Sequence, residues 1–168
     1  MNNKLYAAII AAVALLFGAV AYCYAQSDDY LATCVRVIDG DTVDLADEEQ
    51  RLHRVRIVGM DAPELAQPYG RPAKSTLVEL ILHKEVQVLP AGVDKYGREL
   101  AQLRYDTSFG QLDVAETMIS NGHAFSWGGA HYKAQEYAAA HRLGVWADLR
   151  YQERPWLFRR RMALERVE

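Results

Sequence analysis

The chain has 168 residues, of which 51% are hydrophobic and 24% charged, which is the balance of an ordinary globular protein. A formal net charge of -3 excludes a basic field over the whole surface, so any binding of a polyanion must come from a local cluster of basic residues. Setting aside an N-terminal segment leaves about 140 residues, enough for one domain with a single core.

The N-terminal residues 1–25 differ in character from the rest of the chain. Met1–Lys4 is short and cationic, whereas residues 5–25 carry no charge and end in small side chains. This pattern is typical of a cleaved export signal, but an uncharged run of about 20 residues is also long enough for a retained membrane anchor. In both cases we expect residues 26–168 to form a domain outside the cytoplasm: periplasmic, secreted, or anchored and facing outward.

Cysteine use points to a single buried thiol. Cys34 is the only cysteine within residues 26–168, so this part of the chain can form no internal disulfide. Its surroundings, ATCVRVI, are typical of a β-strand, and we expect the thiol to lie in the core.

Five stretches predict short β-strands, because apolar and polar residues alternate in them or β-branched residues accumulate. The first ends at Asp39-Gly40, a strong tight-turn signal, and a polar loop over residues 46–50 separates the second from the third. Short connections between the first three strands indicate an antiparallel meander. The five stretches are residues 30–38, 42–45, 51–59, 85–90 and 98–105.

Three further stretches have the character of helices: residues 68–83, between the third and fourth strands, and residues 112–120 and 132–143, after the fifth. The second begins at Leu112 in this interpretation, and Asn121-Gly122 ends it. The remaining residues mix aromatic side chains with Arg159-Arg160-Arg161, and we expect a short segment there to pack back onto the strands. Five short strands with helices beside them predict a mainly β, α+β fold built on a small barrel.

Three turns crowded with charged residues come at the ends of predicted strands, in VIDGDTVDL, VRIVGMDAPE and VDKYGRELA. Like charges repel, so bringing two of these aspartates together requires a cation between them. Oxygen donors without a nearby histidine or cysteine favour a hard ion, Ca²⁺ or Mg²⁺. The charged residues that we consider as site candidates are Asp39 and Asp41 in the first stretch, Arg56, Asp61 and Glu64 in the second, and Arg98 in the third.

Each of these motifs has an ordinary explanation when taken alone. Asp39-Gly40 is typical of a hairpin turn, the acids around Asp61 could face water in a loop, and Arg56 could be a solvated strand residue. The five histidines show no zinc-ligand spacing, and Ser126 lacks the strand-turn-helix setting of a serine nucleophile. The combination of the three motifs in this order is what carries the information.

The ordered motifs VIDGDTV, VRIVGMDAPE and DKYGRELA resemble those of the staphylococcal nuclease family. The resemblance continues through AQEYAAAHRLGVWAD and PWLFRRR, which are similar to the endings of exported bacterial members, and spans about residues 30–160. It implies a five-stranded OB-fold barrel with three helices and Ca²⁺ as cofactor. It also implies endonucleolytic hydrolysis of DNA and RNA that cleaves the P–O5′ bond and leaves 3′-phosphate ends.

The resemblance also implies roles for individual residues. Asp41 and Asp61 would bind the metal through their carboxylates and Ala62 through its backbone carbonyl, a role that alanine can fill although the best-known member has threonine there. Glu64 would act as the general base. Arg56 and Arg98 would clamp the phosphate, since a planar guanidinium makes paired hydrogen bonds to phosphate oxygens.

Less specific positions complete the expected site. Asp39 would contact the metal ligands without binding the ion itself. The family places tyrosines over the nucleotide after the second helix, where this chain reads GHAFSWGGAHYKA. Trp127 and Tyr132 are therefore candidates for stacking on the substrate, with Tyr96 in the third motif as another.

A non-catalytic OB-fold module that only binds nucleic acid is the alternative function. Such a module would be expected to lack some of the charged site residues, and all of them are present here, so we favour the enzyme. We expect DNA and RNA as substrates, membrane association only through residues 5–25, and a monomer without an obligate protein partner.

Overall fold

The computed structural model describes residues 29–165. The export signal or anchor predicted for residues 1–25 lies outside the described residues. Within residues 29–165, no helix combines the length and the apolar character needed to cross a membrane.

Eight strands and four α-helices make up the described part of the chain. The strands are β1 (Tyr30–Val37), β2 (Thr42–Asp47), β3 (Leu52–Ile57), β4 (Met60–Asp61), β5 (Glu85–Val93), β6 (Glu99–Thr107), β7 (Gly110–Asp113) and β8 (Phe125–Ser126). The α-helices are α1 (Gly70–Ile81), α2 (Val114–Ser120), α3 (Tyr132–Ala140) and α4 (Pro155–Glu165), with short 3₁₀ turns at Gly144–Ala147 and Leu149–Tyr151.

Five of the strands close into a barrel, as the sequence predicts. They pair in the order β3-β2-β1-β5-β6, and a parallel pairing of β3 with β6 closes the ring. The remaining strands are peripheral: β7 pairs with residues 104–107 of β6, beyond the residues that pair with β3, and β4 pairs with β8 in a separate two-stranded sheet. Closure leaves no free edge on the five barrel strands, which is how small β-proteins protect their backbone hydrogen bonds.

Alternation along the strands decides which side chains fill the barrel. On β3, Val55 and Ile57 are buried inside, which leaves Arg54 and Arg56 on the opposite face. Helix α1 adds Ala73, Leu77 and Ile81 to the buried residues, and Cys34 of β1 is fully buried, as predicted.

The structure adds one helix to the three predicted, because the arginine-rich segment that was expected to pack back onto the strands forms α4. Pro155 occupies its first position, where the fixed φ angle of proline suits a helix start. The helix escapes detection by apolar spacing because Pro155 is its only buried residue, while Trp156, Leu157 and Leu164 are exposed.

The second helix also starts later than predicted. Leu112 lies in β7, and α2 begins at Val114, because the Asp113 side chain caps the helix by accepting a hydrogen bond from the Glu116 N–H. An N-cap residue lies outside the helix it begins, so Leu112 cannot belong to the helical face.

Candidate active site

Two turns bring Asp41 and Asp61 together at one end of the barrel. Asp41 follows the turn between β1 and β2, and Asp61 ends the short strand β4, which follows Gly59, a residue with φ of 80° in the left-handed region. A side chain at Gly40 would place its Cβ 2.6 Å from the Ala62 Cβ, so only glycine lets the two turns pack this closely. The Ala62 N–H donates to Asp41 Oδ2 at 2.9 Å and joins them directly.

Arg56 links the two aspartates through its guanidinium group. Its Nη2 donates to Asp61 Oδ1 at 2.9 Å, and its Nη1 forms an ion pair with Asp41 Oδ2. The Arg56 side chain is only 16% exposed, and those of Asp41 and Asp61 are 9% and 2% exposed. Two carboxylates that are 20 residues apart in the sequence therefore lie close together, as the charge pattern led us to expect, and both contact the guanidinium of Arg56.

Burial strongly affects the ionisation of Asp41. Loss of solvent raises the pKa of its carboxyl to about 7, although the Arg56 guanidinium and the Ala62 N–H act in the opposite direction. Asp39 adds to the rise through its charge, and its Oδ1 accepts a 3.0 Å hydrogen bond from the Asp41 N–H. Asp39 thus shapes the turn that carries Asp41, and Arg56 alone does not offset the cost of burying that carboxylate.

Glu64 reaches the same site through a residue that the sequence analysis did not assign. Arg159 of α4 donates from Nη1 to Glu64 Oε1 at 2.6 Å and to Asp61 Oδ1 at 3.1 Å. Its Nη2 donates to both oxygens of Asp61, each at 3.2 Å. The run Arg159-Arg160-Arg161 was visible in the sequence, but only the packing of α4 shows which of the three arginines faces the acids.

Arg98 makes different contacts from those expected of a second clamp. Its Nε and Nη2 donate to Asp94 Oδ2 at 2.8 and 2.7 Å, and the Arg98 N–H bonds the same carboxylate through Oδ1. The residue lies just before β6, two positions ahead of Leu100, the pairing partner of Arg56. Arg98 therefore lies near the place where β3 pairs with β6, but its guanidinium forms an ion pair with Asp94 and with none of Asp41, Asp61 and Glu64.

The three aromatic candidates are all exposed but occupy different places. Tyr96 lies beside Arg98, whose guanidinium carbon is 5.6 Å from the ring centroid. The Trp127 N–H donates to the carbonyl of Gly59 at 3.0 Å, so this residue borders the turn that leads to Asp61. Tyr132 begins α3. Of the three, Trp127 is therefore the one whose backbone is hydrogen-bonded to the residue just before β4, the strand that ends at Asp61.

The acidic residues offer oxygen donors suited to a hard cation. Within residues 29–165, no three or more His, Cys, Asp or Glu side chains are grouped so as to hold a metal ion. If a metal ion bound here, Asp41 and Asp61 would supply two carboxylates, and the Ala62 carbonyl and water would complete an all-oxygen set. That donor chemistry fits Ca²⁺, which accepts carboxylate, carbonyl and water oxygens in flexible geometry.

An open cleft lies against this acidic group. It has a volume of about 420 Å³ and is bordered by Asp39 and Glu64 on one side and by Phe158, Arg159 and Met162 of α4 on the other. The site thus combines carboxylates, guanidinium groups and a solvent-accessible cleft, which is the chemistry needed to bind a phosphate and activate water.

Comparison with known proteins places the chain in a family. Residues 54–148 match the family described as staphylococcal nuclease homologue. The matched segment includes Arg56, Asp61, Glu64 and Arg98, and both Asp41 and Arg159 lie outside it.

Individual relatives match over most of their length. The chain is 35% identical over 165 residues to a micrococcal nuclease of Shigella flexneri, covering 91% of each protein. It is 29% identical over 151 residues to an uncharacterized endonuclease of Haemophilus influenzae, covering 88% of this chain and 81% of that protein. It is 33% identical over 134 residues to an uncharacterized endonuclease of Escherichia coli O157:H7, covering 76% and 83%. The chain belongs to the staphylococcal nuclease family.

Proposed function

We propose that this chain is a Ca²⁺-dependent endonuclease that hydrolyses phosphodiester bonds of DNA and RNA and leaves 3′-phosphate ends. The observation that supports this function most is the convergence of Asp41 and Asp61 on Arg56, with Glu64 joined to Asp61 through Arg159. Membership of a nuclease family supports phosphodiester hydrolysis in general. The metal, the two substrates and the product ends extend that conclusion through the resemblance of the motifs.

The site residues suit the charges of phosphodiester cleavage. A Ca²⁺ ion bound to Asp41, Asp61 and the Ala62 carbonyl would supply positive charge to offset the phosphate oxygens. Arg56 presents a guanidinium at the same place, and this group stays charged at any working pH. Arg98 would have to exchange Asp94 for a phosphate oxygen to act as the second clamp.

Glu64 is suited to accept the proton of the attacking water. It follows Asp61 by three residues, and Pro63 stiffens the connection between them. Its side chain lines the open cleft, so water can reach it while Asp61 stays buried. In this mechanism Glu64 takes up a proton as the water oxygen bonds to phosphorus, the P–O5′ bond breaks, and the departing O5′ takes a proton from solvent to leave as an alcohol.

The proposed setting of the enzyme is outside the cytoplasm. The cationic start and the uncharged residues 5–25 support export, with or without a retained membrane anchor. N-terminal sequencing of the mature protein would distinguish the cleaved from the anchored form, because cleavage would expose a new N-terminus near residue 26. We also propose that the enzyme is a monomer without an obligate protein partner.

Plasmid cleavage tests the proposed activity. Purified protein is incubated with supercoiled plasmid or with RNA in the presence of Ca²⁺, Mg²⁺ or a chelator, and the ends of the products are analysed. We expect cleavage with Ca²⁺, none with the chelator, and 3′-phosphate termini. Binding of nucleic acid without cleavage under any divalent metal would support the non-catalytic binding module instead.

Replacing Glu64 tests the proposed general base. Glu64→Gln should lower kcat by about a hundredfold or more while leaving Ca²⁺ affinity and folding nearly unchanged, because glutamine keeps the shape but accepts no proton. Glu49→Gln is the matched control, since Glu49 is exposed and pairs only with Arg51. Near-native turnover of Glu64→Gln would show that another group takes the proton.

A further inference from the structure

Asp61 already has cationic partners on both carboxylate oxygens. Oδ1 accepts from Arg56 Nη2 and from both Nη atoms of Arg159, and Oδ2 accepts from Arg159 Nη2. Each carboxylate oxygen offers about two acceptor positions, so Oδ1 is fully used while Oδ2 keeps one position open. A metal ion bound at Oδ2 would lie beside the Arg159 Nη2 that contacts both oxygens, and repulsion between these two positive charges makes the ion and the guanidinium compete for Asp61.

Of the two arginines, Arg159 is the one that can leave easily. The Arg56 side chain is 16% exposed and lies on a barrel strand, where it also pairs with Asp41. The Arg159 side chain is 44% exposed and borders the open cleft, so its guanidinium can turn into water once another cation replaces it at the buried Asp61.

The helix that carries Arg159 is held to the barrel largely by polar contacts. Pro155 is the only buried residue of α4. Glu153, just before the helix, accepts a 2.9 Å hydrogen bond at its carbonyl from Nε2 of Gln67. Few buried apolar contacts imply a low cost for local displacement, so a shift of Arg159 need not disturb the barrel.

We propose that Arg159 competes with the metal ion for Asp61: it serves as the counter-ion of Asp61 and Glu64 in the metal-free protein and gives up Asp61 when the ion binds. This inference rests on the metal dependence of the proposed function. The buried Asp61 carboxylate needs a positive charge nearby in either state, and α4 supplies that charge until the ion does. The C-terminal helix thereby sets the Ca²⁺ concentration at which the site fills.

Calorimetric titration of Ca²⁺ into the full chain, without nucleic acid, tests this competition. Arg159→Gln should tighten the Ca²⁺ dissociation constant by about tenfold, the effect of removing one charge-assisted competitor from a buried carboxylate. Arg161→Gln is the matched control, because Arg161 lies on the same helix but pairs with Glu153 and Glu165. It should change the constant by less than about twofold.

A second substitution keeps the test decisive if Arg159→Gln does not fold, which circular dichroism would show. Arg159→Lys retains the charge but cannot donate from two nitrogens to Asp61, so it should tighten Ca²⁺ binding by a smaller factor than Arg159→Gln does. Unchanged or weaker Ca²⁺ binding in the folded Arg159 variants would overturn the proposal, as would equal tightening in Arg161→Gln.

The outcome for Arg159 can be separated from the outcome for the proposed function. If plasmid is cleaved only with Ca²⁺ but the Arg159 variants bind Ca²⁺ like the wild type, the competition is wrong and the nuclease stands. If no form of the protein binds Ca²⁺, the competition is overturned, and the cleavage assay with other metals then decides on the nuclease by itself.

Discussion

Arg56 satisfies two buried carboxylates with one planar group, and a lysine at this position could not do so. Arg56→Lys keeps the charge, but a single ammonium cannot span Asp41 and Asp61 as the two Nη atoms do. We expect kcat/KM on plasmid to fall by about a hundredfold, and the free energy of unfolding to fall by about 1–3 kcal/mol because a buried acceptor loses its donor. Steady-state kinetics and urea unfolding measure the two effects.

Arg98→Lys provides the comparison for this prediction. The Arg98 guanidinium is paired with Asp94 in its own turn, so the substitution should leave the Asp41–Asp61 pair intact. Activity should fall if Arg98 turns to the phosphate during catalysis, but stability should change less than in Arg56→Lys. Equal loss of stability in both variants would contradict the bridging role of Arg56.

At the scale of single residues, local motifs predict part of the site well. Asp41, Asp61 and Arg56 could be placed together because each is fixed by a turn or strand whose signal lies within a few neighbouring residues. Arg159 could not be assigned, because its contact with Asp61 spans 98 residues of sequence and depends on how α4 lies on the barrel. The pairing of Arg98 with Asp94 was also not foreseen, although the two residues are only four apart.

At the scale of elements, the start of α1 fixes the loop that carries Glu64. Gly70 is the first residue of the helix, and a Cβ there would lie 1.9 Å from the Glu64 carbonyl oxygen. Because this neighbour is backbone rather than a flexible side chain, the loop would have to move as a whole.

Gly70→Ala therefore tests whether close backbone packing or helix propensity decides stability. Alanine favours a helix interior over glycine by about 1 kcal/mol and the first helical position by less, so without the clash the variant would be slightly more stable. We expect the opposite: a lower Tm, and reduced turnover because Glu64 shifts. Ser75→Ala, at an exposed position on the same helix, is the control. A rise in the Tm of Gly70→Ala would show that the loop relaxes freely.

The elements differ in how well their sequences reveal them. Strands β1, β3 and β6 and helix α1 have one buried and one exposed face, so their apolar spacing predicts them to within a few residues. Helix α4 has almost no buried face, and its exposed Trp156, Leu157 and Leu164 give no clear period. Strand β7 is short and mostly exposed, and the sequence pattern assigns two of its four residues, Leu112 and Asp113, to the following helix instead.

At the scale of the whole molecule, a polar seam crosses the barrel near the pairing of β3 with β6. It consists of Tyr30, Asp47, Arg51, His53 and Glu99. Tyr30 of β1 donates to Glu99 of β6 at 2.9 Å, and the two ring nitrogens of His53 in β3 face Glu99 and Asp47 at 3.2 and 3.1 Å. Arg51 donates to Asp47 at 2.7 Å. The seam joins four barrel strands or their turns, so its ionisation should affect the stability of the entire fold.

Acid should weaken the fold through Asp47. Burial tends to raise the pKa of its carboxyl, but hydrogen bonds from His53 and Arg51 outweigh burial and hold the pKa below the ordinary 3.8. A carboxyl whose pKa is lower in the folded state stabilises the protein above the unfolded pKa, and this contribution disappears as pH falls through the folded value. The stabilisation should therefore be complete above about pH 5 and shrink steadily below about pH 4.

Asp47→Asn isolates this contribution, because asparagine keeps one oxygen for the backbone N–H groups of Glu49 and Arg51 but carries no charge for His53. Urea unfolding should show the variant clearly less stable than the wild type near pH 7, with the difference narrowing at about pH 3 and below. Glu48→Gln, an exposed neighbour, should show no such convergence. A stability gap that stays constant with pH would mean that Asp47 acts through geometry rather than charge. Asp44, whose pKa is lowered by hydrogen bonds and charge from Arg54 and Arg36, would then be the next barrel carboxyl to replace.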